Sequence, residues 1–217
     1  MTSPQSPLSR DHSPGELGGV RIVLAISGGI SAYKAIEVCR RLIDLGARVA
    51  PILTDDALRF VTKLTFDALA SEPALTSLWD GPDPSPHTRL GQWADLIVVA
   101  PATARVLAKY TAGISDDLVT ATLLATRAPV LVCPAMHTEM WEHPATQDNL
   151  ATLVRRGVHV EGPAVGPLAS GDYGAGRLVD PAQIVAAAAR LVALRVGQDC
   201  LGLRVLGCRR QGEVRLE

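Results

Sequence analysis

Residues 21–54 read RIVLAISGGISAYKAIEVCRRLIDLGARVAPILT, and this stretch decides the fold. RIVLAI (21–26) is a short apolar run rich in β-branched residues, and SGGIS follows at once. In AYKAIEVCRRLIDLGA, the residues Ala35, Val38, Cys39, Leu42 and Leu45 recur at helical spacing, and Gly46 closes the helix. RVAPILT (48–54) is the next strand. The unit is β-α-β, and a crossover of this length implies parallel strands.

The alternation continues along the chain. ADLIVVAPAT predicts a buried strand ending in a turn at Pro101, PVLVCPAM another ending at Pro134, and GVHVEGP a shorter one ending at Pro163. Helical stretches fall at 103–110, 116–126 and 145–156, and PAQIVAAAARLVALR begins a last helix with Pro181 in its first turn. The fold class is therefore α/β: one domain with a doubly wound, open parallel sheet of Rossmann-like type. In such sheets ligands bind beyond the carboxyl ends of the strands, near the switch point. That singles out Ser27 to Ser31, Thr54, Pro101 to Ala104, and the residues from Pro134 onward.

Composition narrows the function. The chain has 217 residues with a formal net charge of -1 and 20% charged residues, a balance that excludes a polyanion-binding surface and so a nucleic-acid partner. Its 47% hydrophobic content with 4% aromatics suits an α/β core of Ala, Val and Leu. No apolar run reaches the roughly 18 residues of a membrane span. The start, MTSPQSPLSRDHSPGELGG, has no basic segment followed by an apolar one, so it reads as a disordered arm over 1–19 and not as a secretion signal. The folded domain is expected over 20–195, with a tail over 196–217. Cys39, Cys133, Cys200 and Cys208 show no metal-ligand or paired spacing and are expected as free thiols in a reducing cytoplasm.

Several stretches carry chemistry. In SGGIS, Gly28 and Gly29 allow close backbone approach, while Ser27 and Ser31 bring hydroxyls to a helix N-terminus that stabilises a phosphate. The plainer reading is a tight turn with a serine cap. The pattern is neither a P-loop nor G-x-G-x-x-G, which argues against a nucleoside triphosphate and against NAD. Thr103, in PATARVLAKYTAGISDDL, is placed to cap a helix with its hydroxyl facing the crevice. Asp116 and Asp117 stand where a helix begins and read as N-caps or as crevice groups. His87, in a loop ahead of TRLGQWA, is the general-base candidate because imidazole titrates near neutrality. PAMHTEMWEHPATQDN (134–149) is too apolar for a surface loop and too rich in polar groups for a plain helix. No metal-ligand array emerges.

Taken together, SGGISAYK, the histidine of HTRLGQWADL, PAT after a strand, PAMHTEMW and the late loop SGDYGAGRL resemble the homo-oligomeric flavin-containing cysteine decarboxylases, over about Arg21 to Val192. The resemblance implies a bound flavin, usually FMN, with FAD left open. It also implies assembly as a homotrimer or homododecamer in which subunit contacts complete each flavin site. Gly28, Gly29 and Ser31 are then expected at the flavin phosphate, with Ser27 and Thr54 nearby. Pro101, Ala102 and Thr103 are expected along the flavin, and Asp116 on the cofactor side. His87 matches the family's essential histidine. Pro134, Ala135, Met136, His137, Met140 and Trp141 match its substrate motif P-x-M-N-x-x-M-W, in which His137 replaces the asparagine that contacts the substrate carboxylate. The chemistry implied is two-electron oxidation of the thiol-bearing carbon, creating a thioaldehyde that lets carbon dioxide leave.

Ser170 stands where coenzyme A pathway members commonly carry a cysteine that helps reduce the enethiol, and serine supplies no redox-competent thiolate. GLRVL (202–206) resembles the first strand of the synthetase domain fused to many bacterial decarboxylases, after which only eleven residues follow. Both features favour a stand-alone enzyme acting on a precursor peptide with a C-terminal cysteine, as in lantibiotic biosynthesis. Phosphopantothenoylcysteine is the alternative substrate, and a non-catalytic flavin-binding subunit is a third reading that retention of His87 opposes.

Overall fold

The computed structural model describes residues 15–169 and 171–210, with the backbone alone over 196–210. His12, Ser170, the side chains of Cys200 and Cys208, and the residues past 210 lie outside this description. In chain order the elements are β1 (Arg21–Ile26), α1 (Lys34–Asp44), β2 (Arg48–Leu53), α2 (Lys63–Leu69), α3 (Pro86–Trp93), β3 (Leu96–Ala102), α4 (Ala104–Ala112) and α5 (Leu118–Ala125). There follow β4 (Val130–Pro134), α6 (Thr138–Glu142), α7 (Pro144–Arg155), β5 (His159–Val160), β6 (Ala164–Pro167), β7 (Tyr173–Arg177) and α8 (Pro181–Arg210).

Among the described residues, five strands form one parallel sheet in the order β2-β1-β3-β4-β5. The chain winds outward from β1 to β2 in one direction and from β3 to β5 in the other, so the switch point lies between β1 and β3. Side chains alternate between two apolar faces, as a sheet covered on both sides requires. Ile22, Leu24 and Ile26 of β1 join one core cluster with α1 and α8. Val23 and Ala25 join a second cluster with residues of α3, α4, α5 and α7. The doubly wound α/β fold expected from residues 21–54 is the fold found.

Departures from the expected pattern have local causes. Residues 15–19, expected in the arm, are folded against the domain: Leu17 is fully buried and its N–H donates to the Leu45 carbonyl at 3.0 Å. β3 runs past Pro101 to Ala102, because the register against β4 shifts between Val99 and Ala102 and no ladder N–H is required of the proline there. Pro86 opens α3, which puts His87 in the first turn of a helix and not in a loop. The late loop SGDYGAGRL is in part a strand, β7, paired antiparallel with β6. As backbone, α8 continues past Arg195 to Arg210. Among the described residues no helix is long and apolar enough to cross a membrane.

α3 packs on α5 through a glycine. A Cβ at Gly91 would stand 2.9 Å from the Ala125 carbonyl carbon, and the Gly91 carbonyl accepts from Thr126 Oγ1 at 2.9 Å. Gly91→Ala forces the helices apart, and the expected cost is about 1–3 kcal/mol. It should appear as a lower urea midpoint with an unchanged slope, and a wild-type midpoint would contradict the tight crossing.

Candidate active site

At the carboxyl edge of the sheet, over the switch point, lies a cleft of about 890 Å³. Its walls come from the segments that follow β1 (Gly28 to Ser31, Tyr33, Lys34), β3 (Thr103 to Arg105) and β4 (Ala135 to His137, Met140), and from β7 (Gly176, Arg177). The sequence-predicted residues Gly28, Gly29, Ser31, Thr103, Ala135, Met136, His137 and Met140 are thus brought together, although they span more than a hundred positions.

The floor is tied by one hydroxyl. Ser27 is 1% exposed, and its Oγ donates to the Pro101 carbonyl at 2.7 Å while accepting from the Thr103 N–H at 3.1 Å. Ser27 therefore joins the ends of β1 and β3 from below and does not line the cleft. Pro101 and Ala102 are likewise buried in β3, and Pro134 in β4. Gly28 packs against the neighbouring turn, where a Cβ would lie 2.3 Å from Asp56 Cβ. Neither Gly29, at the start of the 3-10 turn Ile30–Tyr33, nor Thr103, at the start of α4, makes a side-chain cap. The first-turn N–H groups beyond them are left for an anion at the cleft.

Other expected residues fall outside the cleft. Thr54 uses its hydroxyl to accept from the Ala57 N–H at 3.2 Å. Asp116 pairs with Lys109 at 2.7 Å, which holds its carboxyl below the usual range. Asp117 caps α5 in a reciprocal capping box with Thr120. Trp141 packs against the second core cluster. His87 does not line the cleft of its own chain. Its Nδ1 is buried without a hydrogen-bond partner among the described residues. Cys39 and Cys133 are free and buried, and burial pushes the Cys39 thiol up to about 12, so neither serves as a nucleophile.

Sequence reasoning missed five charged groups of the cleft. Lys34 Nζ donates to the Leu178 carbonyl at 3.2 Å and pairs with Asp180 at 3.7 Å. Arg177 also reaches Asp180, at 3.2 Å, and Arg105 pairs with Asp56. The last residue of SGGISAYK and the arginine of SGDYGAGRL carried that signal, since each is a cation at the end of a glycine-containing motif. The β6–β7 hairpin is fastened to the segment after β4 as well: the Met136 N–H donates to Gly176 O at 2.9 Å and Thr138 Oγ1 donates to Ala175 O at 2.8 Å. Side chains at Gly174 or Gly176 would collide there, 2.3 Å from Thr138 Oγ1 and 2.2 Å from Met136 O.

The cleft offers uncapped N–H groups and cations together with the apolar side chains of Ile30, Ala104, Met136, Met140 and Leu178. A planar cofactor with a phosphate fits that distribution. Fold and cleft together define a Rossmann-like α/β protein with its cleft at the switch point of the sheet.

The sequence profile described as Flavoprotein matches residues 10–193. The chain is 54% identical over 172 residues, 79% of its length, to the coenzyme A biosynthesis bifunctional protein CoaBC of Mycobacterium tuberculosis, and spans 41% of that protein. Its fold matches a cysteine-to-serine mutant of PPC decarboxylase complexed with pantothenoylaminoethenethiol, with TM-score 0.71, 34% identity, and coverage of 78% of this chain and 96% of that one. It also matches the FMN-dependent cysteine decarboxylase SpaF, with TM-score 0.69, 30% identity, and coverage of 82% and 99%. The chain belongs to the Flavoprotein family. It spans less than half the length of the CoaBC relative.

Ser27→Ala removes the hydroxyl that pairs with the buried Pro101 carbonyl and the half-buried Thr103 N–H, at an expected cost of about 1–3 kcal/mol. Because the same tie sets the cleft floor, flavin release on dilution should quicken in the variant. Unchanged stability and retention would mean the strand ends hold without the hydroxyl.

Proposed function

We propose that this chain is an FMN-dependent decarboxylase of phosphopantothenoylcysteine. The observation that carries the reading is the 54% identity to CoaBC proteins, against 30% to SpaF. It reverses the order expected from Ser170 and the short C-terminus, which favoured a peptide ending in cysteine. The cleft supports it further, since Lys34, Arg105 and Arg177 outnumber Asp56 and Asp180 and suit a phosphorylated substrate beside a phosphorylated cofactor.

On this reading Gly28, Gly29, Ser31 and the start of α4 would hold the FMN phosphate, and Ala104 and Met136 would border the space for its ring. FMN bound there would supply the two-electron acceptor for oxidation of the cysteine side chain. The loop Ala135 to Met140 receives the substrate, and His137 holds its carboxylate. His87 removes the thiol proton. Because His87 lies away from its own chain's cleft, a second copy supplies it. Leu58, Phe60, Leu64 and Trp79 are 38%, 48%, 75% and 85% exposed, an apolar surface that accords with such an assembly. The two free, buried thiols are in keeping with a cytoplasmic setting.

Incubation of the purified yellow protein with phosphopantothenoylcysteine and, separately, with a peptide ending in cysteine tests the substrate by mass spectrometry. Turnover of the first alone is expected, and turnover of the peptide alone would overturn the reading. Loss of carbon dioxide plus two hydrogens would indicate that Ser170 leaves the product as the enethiol; loss of carbon dioxide alone would indicate that another group completes the reduction. His87→Asn should keep the flavin and lose turnover. Co-expression of His87→Asn with His137→Ala subunits should recover part of the activity, because mixed oligomers rebuild some complete sites. No recovery would place both residues in one subunit's site.

A further inference from the structure

His137 differs from the asparagine of the family motif in being able to carry a charge, and the surroundings of its ring use that difference. Its Nδ1 meets the Glu139 carboxylate, and its Nε2 lies 3.2 Å from Asp172 Oδ2. A neutral imidazole has one N–H donor and would point a lone pair at one of these carboxylates. Only the imidazolium donates to both. Hydrogen bonding to Glu139, followed by that to Asp172, raises the His137 pKa above the ordinary imidazole value.

The two carboxylates are held differently. Glu139 belongs to α6, two residues beyond His137, and travels with it. Asp172 belongs to the turn between β6 and β7, beside Gly171 at φ +95, where the Leu168 N–H donates to the Asp172 carbonyl at 2.8 Å. The remaining charged groups of the cleft pair among themselves, Arg105 with Asp56, and Lys34 and Arg177 with Asp180. A carboxylate entering the cleft toward His137 therefore meets an imidazolium whose Nε2 is already engaged by the turn.

We propose that Asp172 is a positioning residue and an internal stand-in for the substrate's carboxylate: it keeps His137 doubly protonated and yields Nε2 when substrate binds. This rests on the reading of position 137 given above. Two consequences oppose one another. Asp172 extends the pH range over which His137 stays charged, and it competes with substrate for the same N–H. For a group whose pKa is raised in the folded protein, the interaction is complete below the ordinary imidazole value and is lost as pH rises through the raised one.

Asp172→Asn separates these effects in the flavin-loaded protein. Carbethoxylation by diethyl pyrocarbonate, which modifies neutral imidazole, is followed at His137 by peptide mass mapping across pH. The midpoint should fall in Asp172→Asn and return in Asp172→Glu. KM for phosphopantothenoylcysteine should drop several-fold below neutrality, where His137 is charged in both proteins. It should then begin its alkaline rise at lower pH, so that the two curves cross with kcat little changed. Equal carbethoxylation midpoints, or a KM that does not fall in acid, overturns the proposal. If phosphopantothenoylcysteine is not turned over at all, the functional reading fails, and the carbethoxylation midpoints alone decide whether Asp172 holds the imidazolium.

Discussion

The hydroxyl of Ser27 donates to the carbonyl of Pro101 and accepts from the N–H of Thr103, and it does so in a place closed to water. Those contacts fasten the end of β1 to the end of β3 at the point where the sheet reverses its winding direction. Without them, the buried Ser27 hydroxyl and Pro101 carbonyl would lie at the floor of the cleft, each costing on the order of 1–3 kcal/mol if left unpaired. With them, the chain leaves β1 through two glycines and leaves β3 directly into α4, and both exits present uncapped N–H groups to the same space. The anion-compatible N–H groups of the cleft are a consequence of how the two strands are joined.

A second constraint holds the opposite wall. β7 approaches the segment after β4 so closely that a side chain at Gly174 or Gly176 would overlap Thr138 or Met136. The hairpin and the segment after β4 therefore form one unit, hydrogen-bonded through Met136 and Thr138, and that unit carries His137, Asp172 and Arg177 around the cleft. Asp180, just past β7, connects it to Lys34 at the start of α1. Charge in the cleft is arranged by elements from the beginning, middle and end of the chain.

Much of the frame was legible. The apolar strands and the spaced apolar residues of α1 predicted β-α-β winding, because a sheet buried on both faces needs near-continuous hydrophobic strands. The glycines of SGGIS and the residues of PAMHTEMW were legible as crevice segments from their place after strands. Pro101 misled, since a proline usually closes a strand and only the register shift against β4 tolerates it within one. SGDYGAGRL misled as well: its glycines suggested a loop, whereas they allow a strand to lie against another backbone. Thr54 and Asp116 follow the crevice-side elements in sequence, yet local caps and an ion pair absorb their polar groups.

Sequence alone determined the class of fold and the family, because period-two and helical apolar spacing and short motifs are local properties of the chain. The tertiary structure decided which of the marked residues share a cleft. It drew Lys34, Arg177 and Asp172 toward His137, set Ser27 beneath the floor, and left His87 on α3, away from the cleft. The physical reason is that pairing between charges and hydrogen-bonding groups depends on distances of about 3 Å, and separation along the chain carries no information at that scale until the sheet and its hairpin are assembled.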